Sequence, residues 1–327
     1  FFGFIFTFFS SFGQSYFIGI FNPSIRADLS ITHGQFGTIY ASATLLSSLV
    51  LIWVGKKIDD MDVFKFSMFV VVLLSFASYF FSTIKVIPLL FIGIFLLRLS
   101  GQGLMSHTAT TTVSRFFEKT RGKALSITWL GLSAAEFILP ILIVFLLTII
   151  NWREIWLVIS LLVLIILPIV SFLLIKKLKL DSREELKENK IDNKNNNIKQ
   201  WTRSEVIKDF RFYIIALNML GMPSFATGVF VYQSFIISSK NWGPFIFAQS
   251  FMAYSVLSVI TLSISGFLID KFTSRKLLIY MNIPLLLAVI ILILFSNPLS
   301  SFILLGLIGI SNGFANVLGS STWAEIY

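Results

Sequence analysis

Read by apolar and polar position, the chain is a series of long apolar runs separated by short polar connections. Ten runs stand out, at about 1–21, 33–54, 63–83, 87–109, 124–147, 153–175, 211–236, 244–266, 277–296 and 299–321. Each approaches the ~20 residues that a helix needs to cross the hydrocarbon core of a bilayer. Helix is the expected conformation, because an isolated strand leaves its backbone groups unpaired in lipid. The ten-residue alternation of a membrane barrel is absent. The predicted fold is therefore all-α, a polytopic membrane protein. The pattern breaks once, at 176–210, where KKLKLDSREELKENKIDNKNNNIKQ is polar, charged and low in complexity. That stretch reads as a linker between six spans (1–175) and four (211–327).

Composition agrees with this picture. Of the 327 residues, 56% are hydrophobic and 13% charged, too little charge to cover the surface of a soluble domain. The net charge of +10 raises the question of a nucleic-acid partner, and its distribution argues against one. Of the 26 Lys and Arg, 21 lie in or beside loops on one side of the membrane and four on the other (Arg26, Lys85, Arg153, Lys240). By the positive-inside rule this places the N-terminus and the linker in the cytoplasm, in a plasma (inner) membrane. The linker lysines would suit anionic lipid headgroups, but their interspersed acids favour a solvated tether. Trp53, Trp152, Trp156, Trp201 and Trp242 lie near span ends and are expected as interfacial anchors. There is no cysteine, hence no disulfide, thiolate metal site or cysteine nucleophile. No cleavable signal peptide is evident. The chain starts with Phe1 and ends at Tyr327 in an apolar run, and so reads as cut at both ends.

The two sides of the linker resemble each other. Gly55-Lys-Lys-Ile-Asp59 follows the second span, and Gly266-Phe-Leu-Ile-Asp270-Lys271 recurs 211 positions later. Parallel six-span repeats are one way of building a transporter. The stretch GFLIDKFTSRK (266–276), with Lys271 and Arg275, resembles the loop motif of the major facilitator superfamily, in outline G-x-L-x-D-R-x-G-R-R. The first copy is weaker, with Asp60 at a usually basic position and Asp62 at a usual glycine. Arg98-Leu-Ser-Gly101-Gln102-Gly103 is similar to the family's Arg-x-x-Gly-x-Gly element; Arg115-Phe-Phe, Arg121-Gly-Lys-Ala and Asn151-Trp152-Arg153 resemble its connectors. The resemblance, of bacterial type, runs over the whole chain and extends loosely to monocarboxylate or organic-anion porters. It implies two six-helix bundles, the last two helices falling beyond Tyr327, with spans 1, 4, 7 and 10 along a central path.

Candidate chemistry follows from polar groups within the spans. Arg98 lies mid-span, where a cation costs about 2.5–3.5 kcal/mol on insertion scales and needs an inward-facing partner. Glu136 is the one acid deep in any span, and a pair with Arg98 would make either a proton switch or a static tie between helices. His107, nine residues after Arg98, falls about 13 Å along the same helix, and His33 reads as ordinary. Gln14, Tyr16, Gln102, Asn218, Asn312 and Asn316 are polar on otherwise apolar helices, suited to touching substrate or to bridging helices. The glycines at 101, 103, 306, 309 and 313 favour helix packing. There is no P-loop, no metal-ligand spacing and no catalytic constellation, so neither cofactor nor enzymatic activity is expected.

The reading is a secondary transporter of a small solute, monomeric, working by alternating access, with a lean towards an organic anion coupled to a proton. Efflux of amphipathic compounds is an alternative that the aromatic-rich spans would suit, although Pro140 lacks the preceding glycine of a drug-antiporter signature. A non-transporting sensor or receptor on the same scaffold is a third reading, with 176–210 as its only output segment.

Overall fold

A computed structural model describes residues 1–117, 120–176 and 203–326. Most of the expected linker, 177–202, and with it Trp201, lies outside the described residues. Among the described residues no strand forms. Among the described residues nine helices are long and apolar enough to cross a membrane: His33–Asp59, Val63–Ser82, Ile87–Phe116, Gly122–Leu146, Trp152–Ile175, Phe210–Val231, Pro244–Ile269, Ser274–Leu294 and Leu299–Trp323. The count becomes ten when the bent pair Phe2–Ile20 and Asn22–Leu29, which turns by 65°, is taken as one broken span. Below, Phe2–Ile20 is the first span and the nine others are the second to tenth. The chain packs into two compact units, Phe1–Lys190 with Val231–Phe235, and Ile191–Phe230 with Ile236–Tyr327.

Close helix crossings hold the first unit together. The first and fourth spans cross at Gly13 and Gly101, where backbone meets backbone. A Cβ on Gly13 would stand 2.3 Å from the carbonyl oxygen of Leu97, and one on Gly101 2.6 Å from the amide nitrogen of Gly13. The third and sixth spans are clasped by Ser75 and Ser160, each hydroxyl donating to the other residue's carbonyl at 3.0 and 2.9 Å. At the face opposite the basic loops, Trp156 is fully buried against Phe17, Phe21 and Phe81, with ring centroids 5.5, 5.1 and 4.8 Å away. Trp152 beside it donates from Nε1 to Asp28 at 2.8 Å. Arg153 pairs with the same carboxylate and donates from Nη2 to the Ile84 carbonyl at 2.8 Å.

Three of the tryptophans expected as interfacial anchors therefore have another role. Trp152, Trp156 and Trp242 are buried, and Trp242 donates to the Ser296 carbonyl at 2.9 Å. Of the described members of that set, only Trp53, two-thirds exposed, keeps the position of an anchor. A large ring near a span end serves packing as readily as an interface, and position along the chain does not separate the two.

The fourth span continues to Phe116, seven residues past the apolar run. Its polar tail, Ser106–Ser114, stays helical because hydroxyls fold back onto the helix. Thr108 donates to the Leu104 carbonyl at 2.6 Å and Thr110 to that of Ser106 at 2.9 Å, which hides these donors from the apolar surroundings.

In the second unit the eighth and tenth spans cross at Gly309, where a Cβ would meet the Tyr254 carbonyl oxygen at 2.2 Å. The loop between the eighth and ninth spans turns at Thr273, with φ 67° and ψ 148°. That conformation belongs almost wholly to glycine, and Thr273 occupies the glycine position of the loop motif. The equivalent Asp62 in the first unit has φ −60° and instead caps the third span, accepting from the Lys65 amide at 2.9 Å. The two loops share a sequence outline and turn by different means.

Three outcomes are expected. Gly101→Ala should destabilise the protein by about 1–3 kcal/mol through overpacking, read as a lower thermal midpoint in detergent. Gly228→Ala, whose Cβ meets nothing within 4 Å, should not lower it. Thr273→Gly should raise the midpoint by relieving strain of order 1–3 kcal/mol.

Candidate functional site

The site is built around a break in the first span. The helix Phe2–Ser10 tightens to a 3₁₀ turn at Ser11–Gly13, Gln14 is extended (φ −79°, ψ 152°), and helix resumes at Ser15. A break at membrane depth frees backbone carbonyls, which need donors from the surrounding protein. Arg98 provides them. Its Nη1 donates to the Gly13 carbonyl at 3.0 Å and to Ser15 Oγ at 3.2 Å. Tyr40, from the second span, donates to the same Ser15 hydroxyl at 2.9 Å, and the guanidinium lies over its ring at 5.4 Å from the centroid. Arg98, Tyr40 and Ser15 are all buried. Both of these hydrogen bonds leave from Nη1, and the Tyr40 hydroxyl also interacts with the guanidinium, so its partners among the described residues are all neutral.

Arg98 opens a stretch of π-helix, Arg98–Met105, within the fourth span. Such wide turns are rare and recur at functional sites. This one contains Gly101, which seats the break of the first span, and Gln102. Gln102 is half-buried, and its Oε1 is shielded without a hydrogen-bond partner. Gln14, at the break itself, is half-buried, and Tyr16 is buried just beyond it.

Glu136 on the fifth span is buried and lies within electrostatic range of Tyr16. Among the described residues it makes no ion pair with Arg98 and no hydrogen bond. The acid and the base, which a static tie would join, are thus held separately in one unit.

Other candidates have structural partners. His107 bonds through Nε2 to the Gly55 carbonyl at 3.1 Å and through Nδ1 to Thr111 at 3.4 Å, tying the second span to the fourth. Asn218 caps a second broken helix. The ninth span unwinds between Leu278 and Ile283, and Asn218 Nδ2 donates to the freed Leu278 carbonyl at 2.8 Å. Asn282 returns a bond to the Asn218 carbonyl at 2.9 Å, and Ser311 donates to that of Met281 at 3.0 Å. Asn312 donates to Ser258 Oγ at 2.9 Å between the tenth and eighth spans, while Asn316 is exposed.

The loop motif also has partners. Asp59 pairs with Arg115, whose Nη1 donates to the Ile58 carbonyl at 3.2 Å. Lys271 lies over the Phe272 ring at 5.4 Å. The side-chain surroundings of Gly266 and Asp270 lie outside the described residues. Arg275 reaches the Glu325 carbonyl at 3.1 Å, and the Ser274 amide donates to Glu325 Oε1 at 3.0 Å. That backbone amide holds the Glu325 carboxyl below the usual carboxylate range. Glu325, Ser15 and Tyr40 escaped the sequence reading. Ser15 could have been found from its place between Gln14 and Tyr16, whereas nothing in the sequence pairs Glu325 with a loop fifty residues away.

A family model for the Major Facilitator Superfamily matches residues 3–327. The chain belongs to the Major Facilitator Superfamily. It is a multi-pass membrane protein and a secondary transporter rather than an enzyme. Solved structures agree on the fold. A bacterial homologue of the human lysosomal transporter Spinster, inward-facing and occupied, superposes with a TM-score of 0.67 at 16% identity, over 98% of this chain and 72% of that one. The nucleoside transporter NupG gives a TM-score of 0.67 at 13% identity, over 100% and 82%. No curated protein has a matching sequence.

Within this superfamily fold, Asn218 can be tested for the capping role. Asn218→Leu should cost about 1–3 kcal/mol by leaving the Leu278 carbonyl unpaired, seen as a lower thermal midpoint. Asn316→Leu should leave the midpoint unchanged.

Proposed function

We propose that this superfamily member moves a small organic anion together with a proton, by alternating access between an N-terminal bundle (1–175) and a second bundle that begins at 211. The observation that carries the reading is the state of Arg98. Its charge is buried, its partners are the Gly13 carbonyl and the neutral side chains of Ser15 and Tyr40, and no acid among the described residues lies within ion-pair distance. A guanidinium without a counter-charge suits a carboxylate, which it can take bidentately. Glu136 supplies the second requirement. A carboxylate without a partner in a dry site is costly, so the group is stable only when it protonates or is paired. Cycling between those conditions couples a proton to the anion. Gln14 and Tyr16 on the first span and Gln102 on the fourth, the span of Arg98, would complete the path. We place the N-terminus and linker in the cytoplasm, on the basic-loop side, with the protein a monomer in the plasma membrane.

Uptake by proteoliposomes, with a panel of small carboxylates and an imposed pH gradient, tests this. The wild type should accumulate at least one carboxylate faster with the lumen alkaline. Arg98→Lys should lower that uptake by roughly 10–100-fold, since a fork contact to a charged group is worth about 1.5–3 kcal/mol. Glu136→Gln should make uptake indifferent to the gradient. Transport of no acid, or a gradient effect that survives Glu136→Gln, refutes the proposal.

A further inference from the structure

The fourth span holds more chain than a regular helix of its length. Its wide segment at Arg98–Met105 is closed by bonds over five residues rather than four, and a segment of this kind takes up an extra residue. The flanks are ordinary α-helix, with φ −63° and ψ −43° at Leu97 and φ −65° and ψ −40° at Ser106. Fixed partners hold both flanks. On the side away from the basic loops, the Leu97 carbonyl lies at the Gly13 crossing, and Arg98 is bonded to Gly13 and Ser15. On the basic-loop side, His107 is bonded to the Gly55 carbonyl, and Arg115 to the Ile58 carbonyl and to Asp59. A continuous α-helix of the same residues would turn one flank by about 100° and shift it by about 1.5 Å against the other. It could keep only one of these two sets of partners. The extra residue is therefore confined between two clamps.

Confinement fixes the number of residues and leaves the position of the wide turn free. When such a turn moves along a helix, only the residues it passes change face, and both ends stay where they are. The two flanks resist that movement unequally. Towards the basic loops the hydroxyls of Thr108 and Thr110 are bonded back to the carbonyls of Leu104 and Ser106, and Thr108 is fully buried. On the other side Ile87–Leu97 is apolar throughout, with Gly93 in its middle, and has no side-chain hydrogen bond to break. Gly101 and Gly103, inside the segment, weaken local preference for the α form. Arg98 is the first residue that a turn moving away from the basic loops would pass.

We propose that the wide turn of the fourth span is a moving part, which travels about one helical turn away from the basic loops and back, carrying Arg98 about 100° around the helix axis and off the Gly13 carbonyl. The released carbonyl is paired again only if the first span closes its own break, so the two irregularities change together. Arg98 then has one position as a backbone cap and another as a freed cation. The device rests on the transport reading for its purpose and not for its existence.

The chain has no cysteine, so a single one can be introduced and tagged. Fluorine NMR of a trifluoromethyl tag on Leu96→Cys, a half-buried position two residues before Arg98, tests the device in the full chain without substrate. The tagged protein should give two resonances, or one broadened by exchange on the μs–ms scale of helix register shifts. The same tag on Trp53→Cys, exposed on the second span, should not exchange. Deletion of Gly103 takes away the extra residue and no side chain, and should leave one sharp resonance at Leu96→Cys. Deletion of Leu104 should do the same and serves where the first variant does not fold. One sharp resonance without a deletion, exchange that survives a deletion, or equal exchange at both tagged positions overturns the proposal. Titration with small carboxylates separates this result from the transport reading. Exchange with no response to any acid counts against the anion and leaves the moving turn standing, whereas acid binding beside a single sharp resonance overturns the moving turn alone.

Discussion

A carbonyl oxygen inside a hydrocarbon layer must find a donor in the protein, and the first unit is organised around one that would otherwise lack it. The first span loses its helical bonds at Ser11–Gln14. Arg98 restores the pairing at Gly13, and the crossing that brings it there requires glycine at 13 and 101. Tyr40 and Ser15 hold the guanidinium from a second side. A charge that is expensive at this depth is thus tied to a backbone defect that is also expensive, and each stabilises the other.

The second unit repeats the solution with neutral groups. The ninth span breaks, and Asn218 and Ser311 take the freed carbonyls. Neither residue carries charge, so this break offers no fixed cation to a substrate. The difference places the charge chemistry of the described residues in the first unit. The connecting loops diverge in the same way. Asp59 reaches Arg115 across the first unit, whereas in the second the acid is Glu325, on the helix just past the tenth span, capping Ser274.

Much of this was legible beforehand. Apolar runs located every span, though the fourth ran seven residues past its run, because hydrocarbon thickness imposes their apolar length. Arg98 and Glu136 stood out because an ionisable residue in such a run is exceptional. What stayed hidden was backbone conformation. Ser11-Phe-Gly-Gln14 holds polar residues and a glycine, but such residues also occur within intact spans, and no proline marks the break. Asn218 looked like a pathway residue because a lone amide in a span reads identically whether it faces a substrate or a carbonyl. Thr108–Thr112 looked like the end of a helix because the periodicity does not reveal hydroxyls bonded back to their own turn.

The central claim is that Arg98, which caps the break and has no acid beside it, also receives an anion. Equilibrium binding to the purified protein tests it most directly, by titration calorimetry with a small carboxylate and its isosteric amide. The account predicts that the carboxylate binds about tenfold or more tightly than the amide, in line with a charge-assisted bidentate contact, and that Arg98→Lys removes most of that difference. Equal affinity for acid and amide in the wild type, or a difference that persists in Arg98→Lys, would contradict it.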